Sequence, residues 1–301
     1  MRLRIFKYSP WDAIPAALVF LHLFAMLAFF IYWPQLSWAQ RFGCAALYSL
    51  SVGWSLNSLA HNFIHNPFFA WEPLNKLTSL AMSWTLATPQ TMYRYIHLKH
   101  HAGNADLPGP DGKTIDPLSI YQYGHDGKPE PMLSYVFLQF FRDDDPFELA
   151  KRIAAKRPAD AKQAMFEFWS MLAVYGVMLL IHWPFILVMA PFNYLGQCLS
   201  NLSGYYEHLG GNPDKPIAWG VSTYEPVYNW IFLYNGYHAE HHYRPKIHWT
   251  KMRAFHREIA AQQAQEGVTV IAPAHPLGFL DPKTWRVPTA KRPAAPKAKA
   301  A

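Results

Sequence analysis

FWSMLAVYGVMLLIHWPFILVMAPFNYLGQCLSNLSGYY, residues 168–206, holds no Asp, Glu, Lys or Arg and is closed at either end by Glu167 and Glu207. A helix crosses a bilayer core in about 20 residues, so the block is too long for one span and suits two. Pro184, near its midpoint, predicts a tight hairpin with arms over 166–182 and 185–205. A break at Pro191–Asn193 is the alternative and would leave a short second arm, because proline is tolerated inside membrane helices. The count matters. Two crossings return the chain to the side it left, whereas one crossing separates everything before the block from everything after it.

Upstream, residues 13–40 and 42–71 are also free of those four residue types. They predict spans over 13–33 and 42–64, joined by a turn around Pro34–Arg41. Arg2, Arg4 and Lys7 precede the first span and predict a cytoplasmic N-terminus. The first apolar run is too long for a signal peptide, lacks a small-residue cleavage site and leads straight into another span. Residues 77–96 are apolar but rich in Ser, Thr, Pro and Gln, which predicts a buried or interfacial helix instead of a fifth span.

The charged residues lie elsewhere. Residues 94–162 hold ten Lys/Arg and ten Asp/Glu and belong in water. Their Pro/Gly-rich middle, 106–131, predicts irregular loop. Asp143–Asp145 before Pro146 predicts a capped helix over 147–157. The Ala/Pro/Lys-rich stretch 283–301 predicts a disordered tail after one domain over 1–282.

Composition agrees with this block structure: 51% of residues are hydrophobic, 16% aromatic and only 16% charged, against about 25% charged in an average soluble protein. The formal charge of +7 raises a nucleic-acid reading. The basic residues, however, lie between and after the apolar blocks, as positive-inside topology and contact with anionic lipid require, and form no groove for a phosphate backbone. Cys44 and Cys198 both sit in apolar stretches and are too few for a disulfide framework or an Fe–S cluster.

Nine of the fifteen histidines fall into four groups: His61 and His65 in HNFIH; His97, His100 and His101 in HLKHH; His208 in YYEH; and His238, His241 and His242 in HAEHH. Spacings of three or four residues put side chains on one helix face. His61 can thus converge with His65, His97 with His100 or His101, and His238 with His241 or His242. With a hairpin over 168–206, an even number of crossings lies between the groups, and all four reach the cytoplasmic side. His22, His125, His182, His248 and His256 lack the repeated spacing and are read as structural or solvent-facing.

Neutral imidazole is a ligand for iron and zinc. Nine exceed the four of structural zinc or the three plus water of catalytic zinc, and two metals with open positions fit the count. Hydrolysis by paired zinc normally uses bridging carboxylates. A membrane metal transporter or sensor needs polar groups inside the spans, where His22 and His182 are the only candidates. Oxygen-reactive iron suits an apolar chain with no obvious serine or cysteine nucleophile.

The three boxes HxxxH, HxxHH and HxxHH resemble those of the membrane fatty acid desaturase and hydroxylase superfamily, over roughly residues 11–258, most closely in NGYHAEHHYRPKIHWTKM around the third box. The resemblance implies an all-α membrane protein with four transmembrane helices and a cytoplasmic helical cap (94–164 and 207–282) holding the histidine-rich site. It also implies two non-haem irons, O2 as cosubstrate and an external reductase. YYEHLG is similar to the NYxEHxG element of alkane hydroxylases and makes His208 the expected ligand. Gly204 stands where that family carries Asn, a departure that weakens an ordinary acyl-CoA desaturase reading.

The expected activity is oxidation of the hydrocarbon chain of a fatty acid or lipid derivative, with desaturation leading. Hydroxylation of a fatty acid or alkane, or decarboxylation of a fatty acid to a terminal alkene, are the alternatives. Glu207 and Glu240 adjoin presumed ligands and can fix an imidazole tautomer, as can Asp106, Asp116 or Asp145 from across the fold. Arg94, Lys99, Arg244 and Lys246 are candidates for contact with a carboxylate or anionic lipid. Small residues Gly53, Ser55, Ser58, Gly196 and Ser200 either leave room for a substrate tunnel or make close helix contacts. The chain has no dinucleotide fingerprint, haem attachment motif or ferredoxin cysteines, so electrons are expected from a separate ferredoxin or reductase. The location expected is a bacterial-type inner membrane, with the metal site cytoplasmic.

Overall fold

Ser9 and Ser37 each open an apolar helix with a capping box in the computed structural model, which describes residues 4–103, 114–142, 144–212 and 214–285. Ser9 caps the turn leading into α1 (Ala13–Tyr32), and Ser37 with Gln40 caps α2 (Trp38–Ser55). α2 passes without a break through a π-helical turn, Leu56–Ala60, into α3 (His61–His65). In that turn Asn57 Nδ2 donates to Gly53 O and Ser58 Oγ to Trp54 O, satisfying carbonyls that a regular helix would use. π turns of this kind cluster at functional sites.

The segment expected as one helix over 77–96 is two: α4 (Glu72–Leu86) and α5 (Gln90–Gly103). Ala87 at φ 52 and Pro89 end one and start the other. α6 (Met132–Leu138) follows the loop, and α7 (Pro146–Ala154) is capped as expected by Asp145, which accepts from the Phe147 and Glu148 amides.

The 51-residue α8 (Pro158–His208) contains residues 168–206, and His182 interrupts it at φ −141, ψ 71. The chain reverses there. Glu167 and Gln197 would stand about 45 Å apart on a straight helix. Instead Glu167 Oε2 accepts from Thr91 N at 2.7 Å while Gln197 Nε2 reaches Thr88 Oγ1 at 3.1 Å, three residues away on the same segment. The turn lies two residues ahead of Pro184, which places the proline in the first turn of the second arm, where its missing N–H is not needed. Pro191 stays within helix, so the alternative break near Asn193 does not occur.

The main core joins α1, α2, α4 and both arms of α8 through Met26, Val52, Leu59, Met82, Met178, Phe185 and Met189. α2 and α8 approach closely because two glycines face each other. A Cβ on Gly196 would lie 2.7 Å from Ser49 O, and one on Gly53 would lie 2.9 Å from Leu199 Cβ. These glycines therefore make helix contacts and leave no tunnel. Ser55 Oγ bonds His22, which is structural as expected. Pro10–Gln35 and Pro158–His208 are long and apolar enough to cross a membrane, and their outer faces show Phe24, Ile31, Leu180 (87% exposed), Ile181, Trp183 and Leu187. These exposed apolar side chains are compatible with apolar surroundings.

The C-terminal third supplies α9 (Pro226–Ile231), α10 (His238–Tyr243) and α11 (Met252–Glu266). A parallel pair of two-residue strands, β1 (Ser222–Thr223) and β2 (Val270–Ile271), is a departure from the all-α expectation. It ties the last segment to the entry of the third histidine box. Residues 286–301, most of the expected tail, lie outside the described residues. Gly196→Ala is expected to cost about 1–3 kcal/mol through overpacking, whereas Gly176→Ala, whose Cβ meets nothing within 4 Å, should be neutral or slightly stabilising. Thermal unfolding of the two variants in detergent checks the difference, and equal midpoints would contradict the close contact.

Candidate metal centre

The nine histidines meet in one buried volume and divide into two groups, His61, His65, His97, His101 and His241 in the first, His100, His208, His238 and His242 in the second. Within each group the candidate ligand atoms lie within 4.8 Å of one another. The division follows helix geometry. In HxxHH, the first and fifth residues share a face and the fourth is rotated about 100° from its neighbour. α5 therefore gives His97 and His101 to the first group and His100 to the second, and α10 gives His238 and His242 to the second and His241 to the first. Each of these boxes spans both groups. The sequence had left the pairing within each box open.

The nitrogen spacings test whether an ion fits. In the first group Nε2 atoms are 2.8 Å apart for His61 and His241, 2.9 Å for His97 and His101, and 3.0 Å for His101 and His241. In the second they are 3.1 Å for His208 and His238 and 2.9 Å for His238 and His242. With metal–imidazole bonds of about 2.0–2.1 Å, ligand nitrogens sit about 2.8–3.0 Å apart at a right angle and about 3.3–3.4 Å apart at the tetrahedral angle. The observed spacings match the right angle. Five ligands in the first group also exceed a tetrahedral set. His65 Nε2 is buried with no hydrogen-bond partner, as a lone pair reserved for a cation would be. Burial first, and neighbouring imidazoles second, hold His97, His101, His238, His241 and His242 well below the usual histidine range, which keeps them neutral and able to coordinate.

Outer hydrogen bonds fix the rings. His61 Nδ1 donates to Asn235 Oδ1 at 2.6 Å, and Asn235 Nδ2 donates to Glu207 Oε1 at 2.7 Å. Ser203 Oγ also donates to Glu207, whose Oε2 lies 3.7 Å from His238 Nδ1. Glu207 thus holds Asn235 and, through it, His61 of the first group, while its other oxygen lies beyond hydrogen-bond distance of His238 in the second. Burial pushes the Glu207 carboxyl up to about 7 against the pull of His208, Ser203 and Asn235. His100 Nδ1 donates to Asp116 Oδ2 at 2.7 Å, the cross-fold pairing considered for that acid. Asp145 serves only its cap, and Asp106 lies outside the described residues.

Glu240 does not touch a ligand imidazole. It accepts from Ser222 Oγ, Tyr224 OH and His256 Nδ1, tying α10 to β1 and α11. Three positioning residues escaped the sequence reading. Asn235 stands three residues before His238, His275 is fully buried beside Glu207 at 3.6 Å, and Glu167 accepts from the first turn of α5 through Thr91 N and Thr91 Oγ1. An acid at the edge of an otherwise charge-free block was the available signal for Glu167. Gly236 permits the close approach that Asn235 needs, since a Cβ there would lie 2.6 Å from Thr223 O and Asn229 Oδ1.

A cleft of about 340 Å³ runs from His61, His97, His100, His208 and His238 between the π-helical turn, α5, α6, α7 and both arms of α8. Leu56, Met92, Ile96, Leu149, Phe168 and Met171 give it mostly apolar walls, and Ser200 and Gly204 also line it. Arg94, Lys99, Arg244 and Lys246 are all exposed and none lines the cleft. Co²⁺ added to the metal-stripped protein is expected to fill two sites per chain, with the weak visible absorption of five- or six-coordination. His100→Ala and His241→Ala should each remove one equivalent, and Asn235→Ala should weaken binding about 10–100-fold. Unchanged stoichiometry in both histidine variants would contradict the two-group division.

A family model described as fatty acid desaturase matches residues 36–274. The chain is also 24% identical over 265 residues to a protein of Oryza sativa subsp. japonica described as sphingolipid delta(4)-desaturase DES1-like, covering 82% of this chain and 74% of that protein. With its histidine boxes gathered at the head of an apolar cleft and the family match spanning most of its length, this chain belongs to the fatty acid desaturase family.

Proposed function

We propose that the protein is an O2-dependent di-iron oxidoreductase that desaturates the hydrocarbon chain of a fatty acid or lipid derivative. The observation that carries this reading is the placement of two imidazole groups, spaced for right-angle coordination, on the lining of a mostly apolar cleft. Family membership supports an oxidoreductase acting on lipid. Two irons held by the nine histidines would supply the oxidising power that removes hydrogen from an unactivated C–H bond. The chain's own residues do the rest. The apolar walls take the substrate out of water and hold one carbon near the imidazoles, so the position of attack depends on how far the substrate reaches in. Asn235, Glu207 and Asp116 keep the ring tautomers fixed.

In this reading the helices form four membrane spans in two hairpins, the second turning at His182, within a single domain over 1–282. The cap and the N-terminus face the cytoplasm of a bacterial-type cell. The exposed apolar faces of α1 and α8 support the membrane setting. Electrons come from a separate ferredoxin or reductase docking on the cap; turnover of the purified protein with NADPH alone would contradict this. Hydroxylation is the second reading, and Gly204 favours it. The Asn that the family pattern places there is missing, and the space stays open.

The test is to supply iron-loaded protein with O2, a reductase system and a panel of free and derivatised fatty acids, and to weigh the products. An internal alkene of unchanged carbon number is the expected outcome. An added oxygen would establish hydroxylation, a terminal alkene one carbon shorter would establish decarboxylation, and activity retained without oxygen would point to a zinc hydrolase. His208→Ala and His241→Ala are expected to abolish every product with the fold intact. Normal turnover in either would remove that histidine from the ligand set.

A further inference from the structure

Asp12 is fully buried where the chain enters α1. A carboxylate in such a place is costly unless donors surround it, and here they come from both ends of the chain. Oδ1 accepts from His248 Nε2 at 2.8 Å and from Trp249 Nε1 at 3.1 Å, and Oδ2 accepts from Ser9 N at 3.2 Å. The Tyr8 ring also stacks on His248, with centroids 5.7 Å apart. Lys7 N and Ala70 N complete the attachment by donating to Phe68 O and Ile5 O. Asp12 thus clamps the N-terminal segment to the loop that follows the third histidine box, 236 positions away at His248.

The clamp unites two basic runs. Arg4 and Lys7 lie in one, and Arg244, Lys246, Lys251 and Arg253 in the other, where bonds from Ile247 N to Arg244 O and from Lys251 N to His248 O keep the loop compact. All six side chains are exposed. No Asp or Glu occurs in 4–11 or 241–257, and none of the six forms an ion pair among the described residues. The flanking acids Asp12 and Glu240 are buried and bonded elsewhere, and Glu72, two residues beyond Ala70, accepts from Asn75 Nδ2. The same clamp fixes depth. With α1 read as a span that begins at Ala13, Asp12 marks the edge of the hydrocarbon, and a loop bonded to it lies among the headgroups. Tyr8 and Trp11 (62% exposed) supply the aromatic side chains favoured there. Uncompensated cations just outside a span attract anionic headgroups.

Resting on the reading of α1 as a membrane span, we propose that the N-terminal segment and the loop 244–253 together seat the phosphate headgroup of an anionic lipid, with Asp12 holding the two halves of the seat together. Ile247, Trp249 and Met252 of that loop also line a small cavity with His61, His65 and His241. A lipid held at the loop therefore steadies one wall of the metal centre.

Native mass spectrometry of the detergent-solubilised, metal-loaded protein tests this by titration with phosphatidylglycerol and phosphatidylcholine of the same acyl chains. Phosphatidylglycerol is expected to bind at least about tenfold more tightly. Lys251→Gln should weaken it about fivefold, the effect of one cation near an anionic surface, and leave phosphatidylcholine unchanged. Lys151→Gln, which removes a cation paired with Glu148 on α7, should change neither. Asp12→Ala keeps all six cations but opens the clamp and should erase the preference. Trp249→Phe, which removes only the indole N–H, should reduce it while metal content stays at the wild-type level. Equal binding of the two lipids, equal losses in Lys251→Gln and Lys151→Gln, a preference that survives Asp12→Ala, or displacement by millimolar inorganic phosphate would each overturn the proposal. Co-flotation with phosphatidylcholine vesicles is read separately. Protein that does not co-float would sink the span reading and this seat with it, whereas protein that co-floats without preferring phosphatidylglycerol would sink the seat alone.

Discussion

Nine imidazoles share one largely buried volume, with ring nitrogens about as close together as hydrogen-bond partners. Left alone, such an arrangement is unfavourable, because buried acceptors face acceptors. It becomes favourable when cations sit between them and when the outer ring nitrogens are anchored. The surrounding fold supplies the anchors. Asn235 holds His61, Asp116 holds His100, and Glu240 holds the α10 helix through Ser222, Tyr224 and His256.

The two acids that bound the charge-free block have matching roles at its ends. The reversal at His182 brings the start and end of α8 back to one cleft. At the start, buried Glu167 meets the first turn of α5, where a carboxylate complements the free backbone amides, and so places His97, His100 and His101. At the end, Glu207 joins α8 to Asn235 and thereby to His61. One apolar hairpin therefore sets both the depth of the cleft and the position of the helices that close it.

The two HxxHH boxes interlock the site. Because each box gives two imidazoles to one group and one to the other, neither group forms unless α5 and α10 dock in register. Helices from distant parts of the chain must therefore meet before either imidazole group is complete.

The sequence by itself determined which histidines gather, because three- and four-residue spacings on helices fix a shared face, and it determined the apolar blocks, because long runs without charge have few other uses. It put a turn at Pro184, two residues from the break in α8 at His182, and named Asp116, together with Asp106 and Asp145, as a candidate partner from across the fold. Only the tertiary structure decided how the boxes divide between two groups, since the rotation of α5 against α10 depends on packing. It also decided that Arg94, Lys99, Arg244 and Lys246 lie exposed and off the cleft lining, that Gly53 and Gly196 close a contact, and that Asn235, His275 and Glu167 support the site. Asn235, Glu167 and His275 act on His61, Thr91 and Glu207, which lie 174, 76 and 68 positions away in the chain, and no local periodicity records partners so distant.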